Sequence, residues 1–435
     1  MRYSFDTYRL YNEEGRFAWT IRVRVAMKEA VDGLVLESAV NTAILRYPYF
    51  AVRVMVDDEG GFAFEHNPRP VAVLPLSERV RNFCSPEVNG HLLFVEYEGK
   101  DIYFNISHSM CGGRGAFPWV MTNVYQYVKE KYHVEPHAPG IRKPGEDLLP
   151  GEATEPDMSM LLSEPPVYES VSKNPAVLGI DYMHGLYNPF MRDPNYEVFA
   201  FRQKDIMRFA KENDASVASF FLVVTAKALD KVLPESVRVI GGEIAHNPGA
   251  DIGIPNSHCD LLSHAYLDYE RDKLKWDMER LGTMTRGQII LQTDPTVSKQ
   301  ELRRKLELYE SLDQIKGHKD KLKYMKENNF DQGKNARHGT YIVNYTGKMD
   351  WGEVADYVEY YAAIVEGHLL LEVTSMSNRI FVSFMQLLSD EKYRDAFREV
   401  LDELGVPYRV KGPFPKHLPK HDLPGKDGKK FWLRR

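Results

Sequence analysis

Helices and strands alternate along both halves of this 435-residue sequence, and that alternation predicts an α/β protein. Two patterns carry the reading. Segments of period two, such as Trp19, Ile21, Val23 and Val25, recur beside segments of helical spacing, such as Leu36, Ala39, Val40, Ala43 and Ile44. A stretch over 136–166, rich in Pro, Gly and acid and without periodicity, parts the two halves. Two lobes are therefore expected, at 1–170 and 171–435, with 136–166 as the linker region.

The elements follow in order. The alternation from Trp19 to Val25 predicts a half-buried strand, and Pro48 stops the helix that follows it. Strands are expected at His91 to Tyr97 and Asp101 to Ile106, joined by a tight turn at Gly99. After the segment Ser107 to Gly115 comes a helix with Pro118 in its first turn and one apolar stripe through Phe117, Val120, Met121, Val124, Tyr125 and Val128. In the second half, Ser216 to Leu229 reads as a buried helix and Val237 to Ile244 as a strand. Leu302 to Asn328 is a charged helical region, and Tyr341 to Tyr345 is a short strand. Asp350, with Glu353 behind it, resembles the capping box of a further helix. The runs Leu369 to Val373 and Ile380 to Phe384 predict a hairpin about Ser375 to Asn378. The last helix, near Glu391 to Leu404, stops at Gly405 with Pro407 beyond. The basic, proline-rich tail after Lys411 reads as a solvated extension.

Composition bounds the function. A 43% hydrophobic content fills a core, and a net charge of −6 argues against a general nucleic-acid binder. Cys84, Cys111 and Cys259 are too few and too scattered for a disulfide framework, which suits a reducing compartment. The first ten residues lack the apolar run of a signal peptide, and no apolar stretch is long enough to span a bilayer. A cytoplasmic protein is expected.

The segment Asn105 to Gly115 reads N-I-S-H-S-M-C-G-G-R-G. A histidine directly after an apolar strand, followed by paired glycines, can present its ring at a cleft. Imidazole suits general-base work because its ordinary pKa, about 6.5, lies near neutrality. A histidine beside a turn is also a common structural residue, so His108 alone leaves both readings open. The glycines permit close backbone approach. Cys111 lies too near His108 in sequence to suggest a catalytic Cys-His pair, and Ser109 and Cys111 read as small residues filling the loop.

This passage resembles the H-H-x-x-x-D-G signature shared by chloramphenicol acetyltransferase, alcohol acetyltransferases and peptide-synthesising condensation domains. In that resemblance Ser107 takes the place of the first histidine, His108 the second, and Gly113 the final glycine. A-I-L-R-Y-P-Y-F-A-V-R at Ala43 to Arg53 is similar to the family's helix, R-x-P turn and strand. V-N-Y-T-G at Val343 to Gly347 is similar to its S-N-x-G strand. One position departs: Gly112 stands where the family has an aspartate whose salt bridge shapes the loop.

The resemblance implies two chloramphenicol acetyltransferase-like lobes, each a mixed sheet flanked by helices, with an active-site tunnel between them. It implies an acyltransferase that moves an acyl group, acetyl first among candidates, from acyl-CoA to a small alcohol or amine. His108 would be the general base, with acyl-CoA as co-substrate rather than a bound cofactor. Asn344, or Thr346 nearby, would donate to the developing oxyanion, although Asn344 equally reads as a polar residue closing a strand. Ser109, Gly112, Gly113 and Arg114 would shape the loop. Arg114 can serve a substrate carboxylate or phosphate, or brace the loop in place of the missing aspartate. Two alternatives stand beside this reading. One is a catalytically silent member that binds a small ligand or protein partner in the cleft. The other is a condensation-type enzyme served by a separate carrier protein, since no carrier attachment sequence is present in this chain.

Three other patterns carry less. His246, Asp251, His258, Cys259, Asp260 and His264 have the ingredients of a zinc site but not a recognised spacing, so no metal is expected. Asp350-Trp351-Gly352 is similar to part of a structural motif in plant acyltransferases of this fold. The many Tyr and Phe residues of the first half read as core.

Overall fold

A computed structural model of the chain describes residues 5–12, 19–161, 192–328 and 340–424. After a 3-10 turn at Phe5–Asn12, the first half runs β1 (Thr20–Met27), α1 (Gly33–Ala43), β2 (Val52–Val56), β3 (Phe62–His66), β4 (Val73–Pro75), β5 (Leu93–Glu98), β6 (Asp101–Ser107) and α2 (Gly113–Tyr132). The second half runs β7 (Arg192–Arg202), α3 (Gln203–Glu212), α4 (Val217–Val232), β8 (Val239–His246), β9 (Ser263–Glu270), α5 (Met278–Gln292), α6 (Pro295–Asp313) and α7 (His318–Asn328). It ends with β10 (Tyr341–Tyr345), β11 (Val358–Val365), β12 (Leu369–Met376), β13 (Arg379–Leu388), α8 (Lys392–Glu403) and β14 (Arg409–Pro415).

Two large sheets organise most of these elements, and β2 and β3 pair as a separate two-stranded sheet. One large sheet has the order β11-β1-β6-β5-β4 and the other β14-β7-β13-β12-β10-β8-β9. The first sheet is completed by a strand from the second half: β11 runs antiparallel to β1, with Ile21 opposite Val365 and Val25 opposite Tyr361. The two bodies therefore share hydrogen bonds as well as a packed face. On β1 the β-branched Ile21, Val23 and Val25 face the core. Helix α4 is buried through most of its length from Val217 to Leu229, and Ser216 and Ser219 cap it reciprocally. Helix α1 starts where Asp32 accepts from the amides of Leu34 and Val35, at 3.0 and 3.2 Å.

Several expectations need correction. Strand β1 is buried on both faces, because the chain's last described segment lies over the arginine face. Arg22 pairs with Glu96 at 3.0 Å, and Arg24 stacks on Phe414 at 4.0 Å. The tail is thus no solvated extension through 424. Strand β14 adds to β7, Thr20 donates to the Pro419 carbonyl at 2.7 Å, and Lys416 and His421 are buried. The tail beyond 424 lies outside the described residues. Helix α2 begins at Gly113, which puts Pro118 in its second turn, inside the helix rather than at its start. The charged region after Leu302 is two helices, α6 and α7. Asp350 does not open a long helix. Its carboxylate accepts from Gly352 at 3.1 Å and a 3-10 turn follows, while Glu353 reaches across to the His137 amide at 2.6 Å.

Residues 136–161 contain a buried charge cluster, whereas 162–166 lie outside the described residues. Glu152 is fully enclosed, with Arg46 at 2.9 Å, Arg142 at 3.1 Å and the Tyr49 hydroxyl at 2.6 Å. Its carbonyl accepts from the His258 amide at 3.1 Å and from the His258 ring Nδ1 at 2.8 Å. A buried carboxylate of this kind is held ionised by its partners, and it pins the long β8–β9 loop to the first body. Among the described residues no helix is long and apolar enough to cross a membrane.

Candidate active site

Strand β6 delivers His108 to the contact between the two bodies. Its pairing with β1 ends at Ser107 opposite Thr20, and the His108 amide then donates to the Trp19 carbonyl at 2.7 Å. A tight turn follows, with Met110 N donating to Ser107 O at 3.1 Å, and Gly112 takes the N-cap position of α2. The glycines let the β8–β9 loop approach closely. Gly112 N donates to His258 O at 3.2 Å, and a Cβ on Gly115 would lie 2.6 Å from that same oxygen.

That loop brings in Asp260, whose carboxylate is buried and lies 3.4 Å from His108 Nδ1. The separation is that of an ion pair rather than a short hydrogen bond. The His108 side chain keeps 15% of its surface exposed, so the ring is accessible while its partner is sealed. Arg9, from the 3-10 turn at Phe5–Asn12, forms a direct ion pair with the same carboxylate oxygen. Asp6 in that turn accepts the Asp260 amide with both oxygens, at 3.1 Å each.

The two carboxyls titrate in opposite directions. Burial works to raise Asp260, but Arg9 foremost, then His108, Lys305 and His264, hold it below the usual carboxylate range. Burial and then the neighbouring Asp260 charge push Asp6 well above that range, with Arg9 only partly offsetting them.

Behind the loop the contacts are neutral. Ser107 Oγ lies 2.6 Å from His421 Nε2 of the C-terminal segment and hydrogen-bonds Ser109 Oγ on its other side. Ser109 and Cys111 are buried. Burial, and then the charges of Asp6 and Asp260, raise the Cys111 thiol well above its ordinary value, which opposes a thiolate there. Gly113 begins α2 over the ring of Phe117, and exposed Arg114 donates to the Pro255 carbonyl at 3.2 Å.

Asn344 and Thr346 stand in the second sheet, at the end of β10. Asn344 donates its amide to Glu372 at 2.6 Å and accepts from Ala245 N at 3.3 Å. The Thr346 hydroxyl donates to the Val373 carbonyl at 3.3 Å. Burial, only partly offset by the Asn344 hydrogen bond, pushes Glu372 up to about 7.

The histidines of the β8–β9 region disperse. His246 lies 3.6 Å from Asp251 and His264 3.7 Å from Glu243, while His258 binds the Glu152 carbonyl. Among the described residues no group of three or more His, Cys, Asp and Glu is placed to hold a metal ion. Asp260 belongs to this set in sequence, and its position beside His108 was not legible from spacing.

The chain has a two-lobed α/β fold, two sheet-plus-helix bodies, shared with solved acetyltransferases and a condensation domain. Among solved structures it is similar to TRI101 of F. graminearum, complexed with coenzyme A and T-2 mycotoxin. That match has a TM-score of 0.58 at 10% identity and covers 93% of this chain and 98% of the other. It is also similar to TRI3 trichothecene 15-O-acetyltransferase from Fusarium sporotrichioides, at TM-score 0.53 and 11% identity, over 92% and 94% of the two chains. The starter condensation domain of rhizomide synthetase RzmA matches at TM-score 0.50 and 12% identity, over 93% and 96%. At such identities the likeness establishes the fold. No family profile and no curated protein sequence matches this chain.

Proposed function

We propose that this protein transfers an acyl group from acyl-CoA to the hydroxyl or amine of a small molecule, with His108 as general base. The observation that carries the reading is the partly exposed His108 ring at the contact between the bodies, with a buried carboxylate facing its Nδ1. The nitrogen on the opposite side of the ring, Nε2, takes the acceptor's proton as its oxygen or nitrogen attacks the thioester carbonyl. The carbon–sulfur bond then breaks, and the imidazolium returns that proton to the departing thiolate. The second amide hydrogen of Asn344, or the Thr346 hydroxyl if it turns from the Val373 carbonyl, is the proposed donor to the oxyanion. Gly112, Gly113, Ser109 and Arg114 shape the loop that aims the base. Likeness to a coenzyme A complex and to an O-acetyltransferase supports the choice of donor and acceptor.

The test is release of free thiol from acetyl-CoA and longer acyl-CoAs against a panel of alcohols and amines. Wild type should turn over, and His108→Ala should lose a hundredfold or more, on the order of what general acid–base catalysis contributes. A folded wild type that is silent with every free acyl-CoA but active with an acyl-loaded carrier protein would replace coenzyme A as donor. Turnover unchanged in His108→Ala would remove His108 as the base.

A further inference from the structure

Gly112 and Asp260 fit each other as a pair. A Cβ at Gly112 would sit 3.1 Å from Asp260 Oδ1 and 3.3 Å from its Cα, closer than most real Cβ contacts. A side chain at 112 would therefore press on Asp260, whose carboxylate faces His108, and Asp260 would have to yield by a few tenths of an ångström. That carboxylate comes from the opposite body, on a loop fixed at Gly112 N by the His258 carbonyl and anchored through His258 to buried Glu152. Arg9 closes the far side.

We propose that Asp260 is the positioning residue for His108, a carboxylate supplied from the second body into space that Gly112 leaves open, and that the Phe5–Asn12 turn maintains its charge. The inference rests on the reading of His108 as base. An anion fixed beside Nδ1 orients the ring and stabilises the imidazolium that forms when Nε2 takes a proton. Arg9 pairs with the buried Asp260 carboxylate, and Asp6 holds the loop by accepting the Asp260 amide. The other groups facing this cluster are Lys305 and His264 toward Asp260, and Glu155 toward Asp6. Because the titrations of Asp6 and Asp260 are linked, Asp260→Asn is read beside Asp6→Asn, and a shift of His108 in the first that is absent in the second reports Asp260.

The experiment is an NMR titration of histidine ring carbons in the full chain, with the His108 resonance assigned from its loss in His108→Ala. This readout needs no turnover. In Asp260→Asn the imidazole pKa is expected to fall by about one to three pH units, the effect of removing an opposite charge at this range. If Asp260→Asn does not fold, the carboxylate can be moved instead. Gly112→Asp/Asp260→Ala should keep His108 titrating near its wild-type value, and Gly112→Asn/Asp260→Ala should titrate lower. A His108 titration that stays put in folded Asp260→Asn, or that is the same in both double variants, overturns the proposal. With acyl-CoA turnover in hand, kcat of Asp260→Asn should drop about a hundredfold while KM for acyl-CoA holds within about threefold. Loss confined to KM would also overturn it. A wild type without acyl-CoA turnover would count against the proposed function and leave the titration to judge Asp260.

Discussion

Asp260 and Glu372 are both buried carboxyls of the second body, yet they sit on opposite sides of the usual carboxylate range. Burial would raise Asp260, but Arg9 foremost, then His108, Lys305 and His264, outweigh it. Glu372 faces the neutral amide of Asn344, and burial pushes it up to about 7. Burial alone therefore does not decide whether a carboxyl here is a charge or a hydrogen-bonding acid. The cations supplied by distant segments decide it. At neutral pH the His108 corner holds a permanent anion, and the Asn344 corner holds a group poised near its midpoint.

The comparison breaks most directly at Arg9. Arg9→Met removes the cation and leaves the Asp6–Asp260 pair buried without it. Breaking a buried ion pair from one side costs about 3–5 kcal/mol. The measurement is urea unfolding of wild type and variant at neutral pH. The depressed pKa of Asp260 adds a sign. Its contribution is fully present above the ordinary carboxylate pKa and is lost only as pH falls through the lower folded value. The wild-type advantage from Asp260 should hold from pH 8 down to about 5. An Arg9→Met protein as stable as wild type would show that Asp260 is not held by Arg9.

Much of this geometry was legible in sequence, and the rest was not, for a physical reason. Strand β6, the His108 turn and helix α2 are local: periodicity and glycine placement specify them within one stretch of chain. The two-lobed architecture was expected from the resemblance, while the crossing of β11 into the first sheet was not legible locally. Arg9, Asp6 and Asp260 become neighbours only through tertiary packing, and each lies in a segment without periodicity. Asp260 was visible only as one member of a His/Asp/Cys cluster without a recognised metal-site spacing. The C-terminal tail misled for a related reason. Its Lys and Pro residues read as solvated, but Lys416 is buried, donating to the Gly367 carbonyl at 3.0 Å, and β14 closes the sheet edge. A charge run is exposed only when nothing on the fold can receive it.

A smaller and pH-dependent effect is expected at Glu372. Its folded pKa is raised, so the neutral acid is favoured in the native state. Its contribution is fully present below the ordinary value of 4.5 and is lost as pH rises through about 7. Glu372→Gln keeps a neutral acceptor for Asn344 and has no charge to bury. Relative to wild type, the variant should gain stability between pH 5 and pH 8, by roughly 2–3 kcal/mol. Thermal or urea unfolding across that range checks it. A difference that stays flat with pH would mean that Glu372 finds a cation on opening or is hydrated, and its contrast with Asp260 would vanish.

The smallest effect should come from the neutral side of the loop. His421 holds Ser107 at 2.6 Å, and Ser107 in turn hydrogen-bonds Ser109, so the tail ties the backbone that carries His108 without adding a charge to it. Losing one such buried contact costs about 1–2 kcal/mol. His421→Ala should therefore lower stability by that amount and leave the His108 titration where it is, since no anion beside Nδ1 has moved. Activity should fall by only a few-fold, about what slight loosening of a held backbone costs. The pair of measurements separates two ways of supporting one histidine. A charge brace alters the ring's proton affinity, and a neutral tether alters only where the ring sits. If His421→Ala moved the His108 titration as far as Asp260→Asn, the tail would be part of the charge brace, and the division between the two faces of the loop would fail.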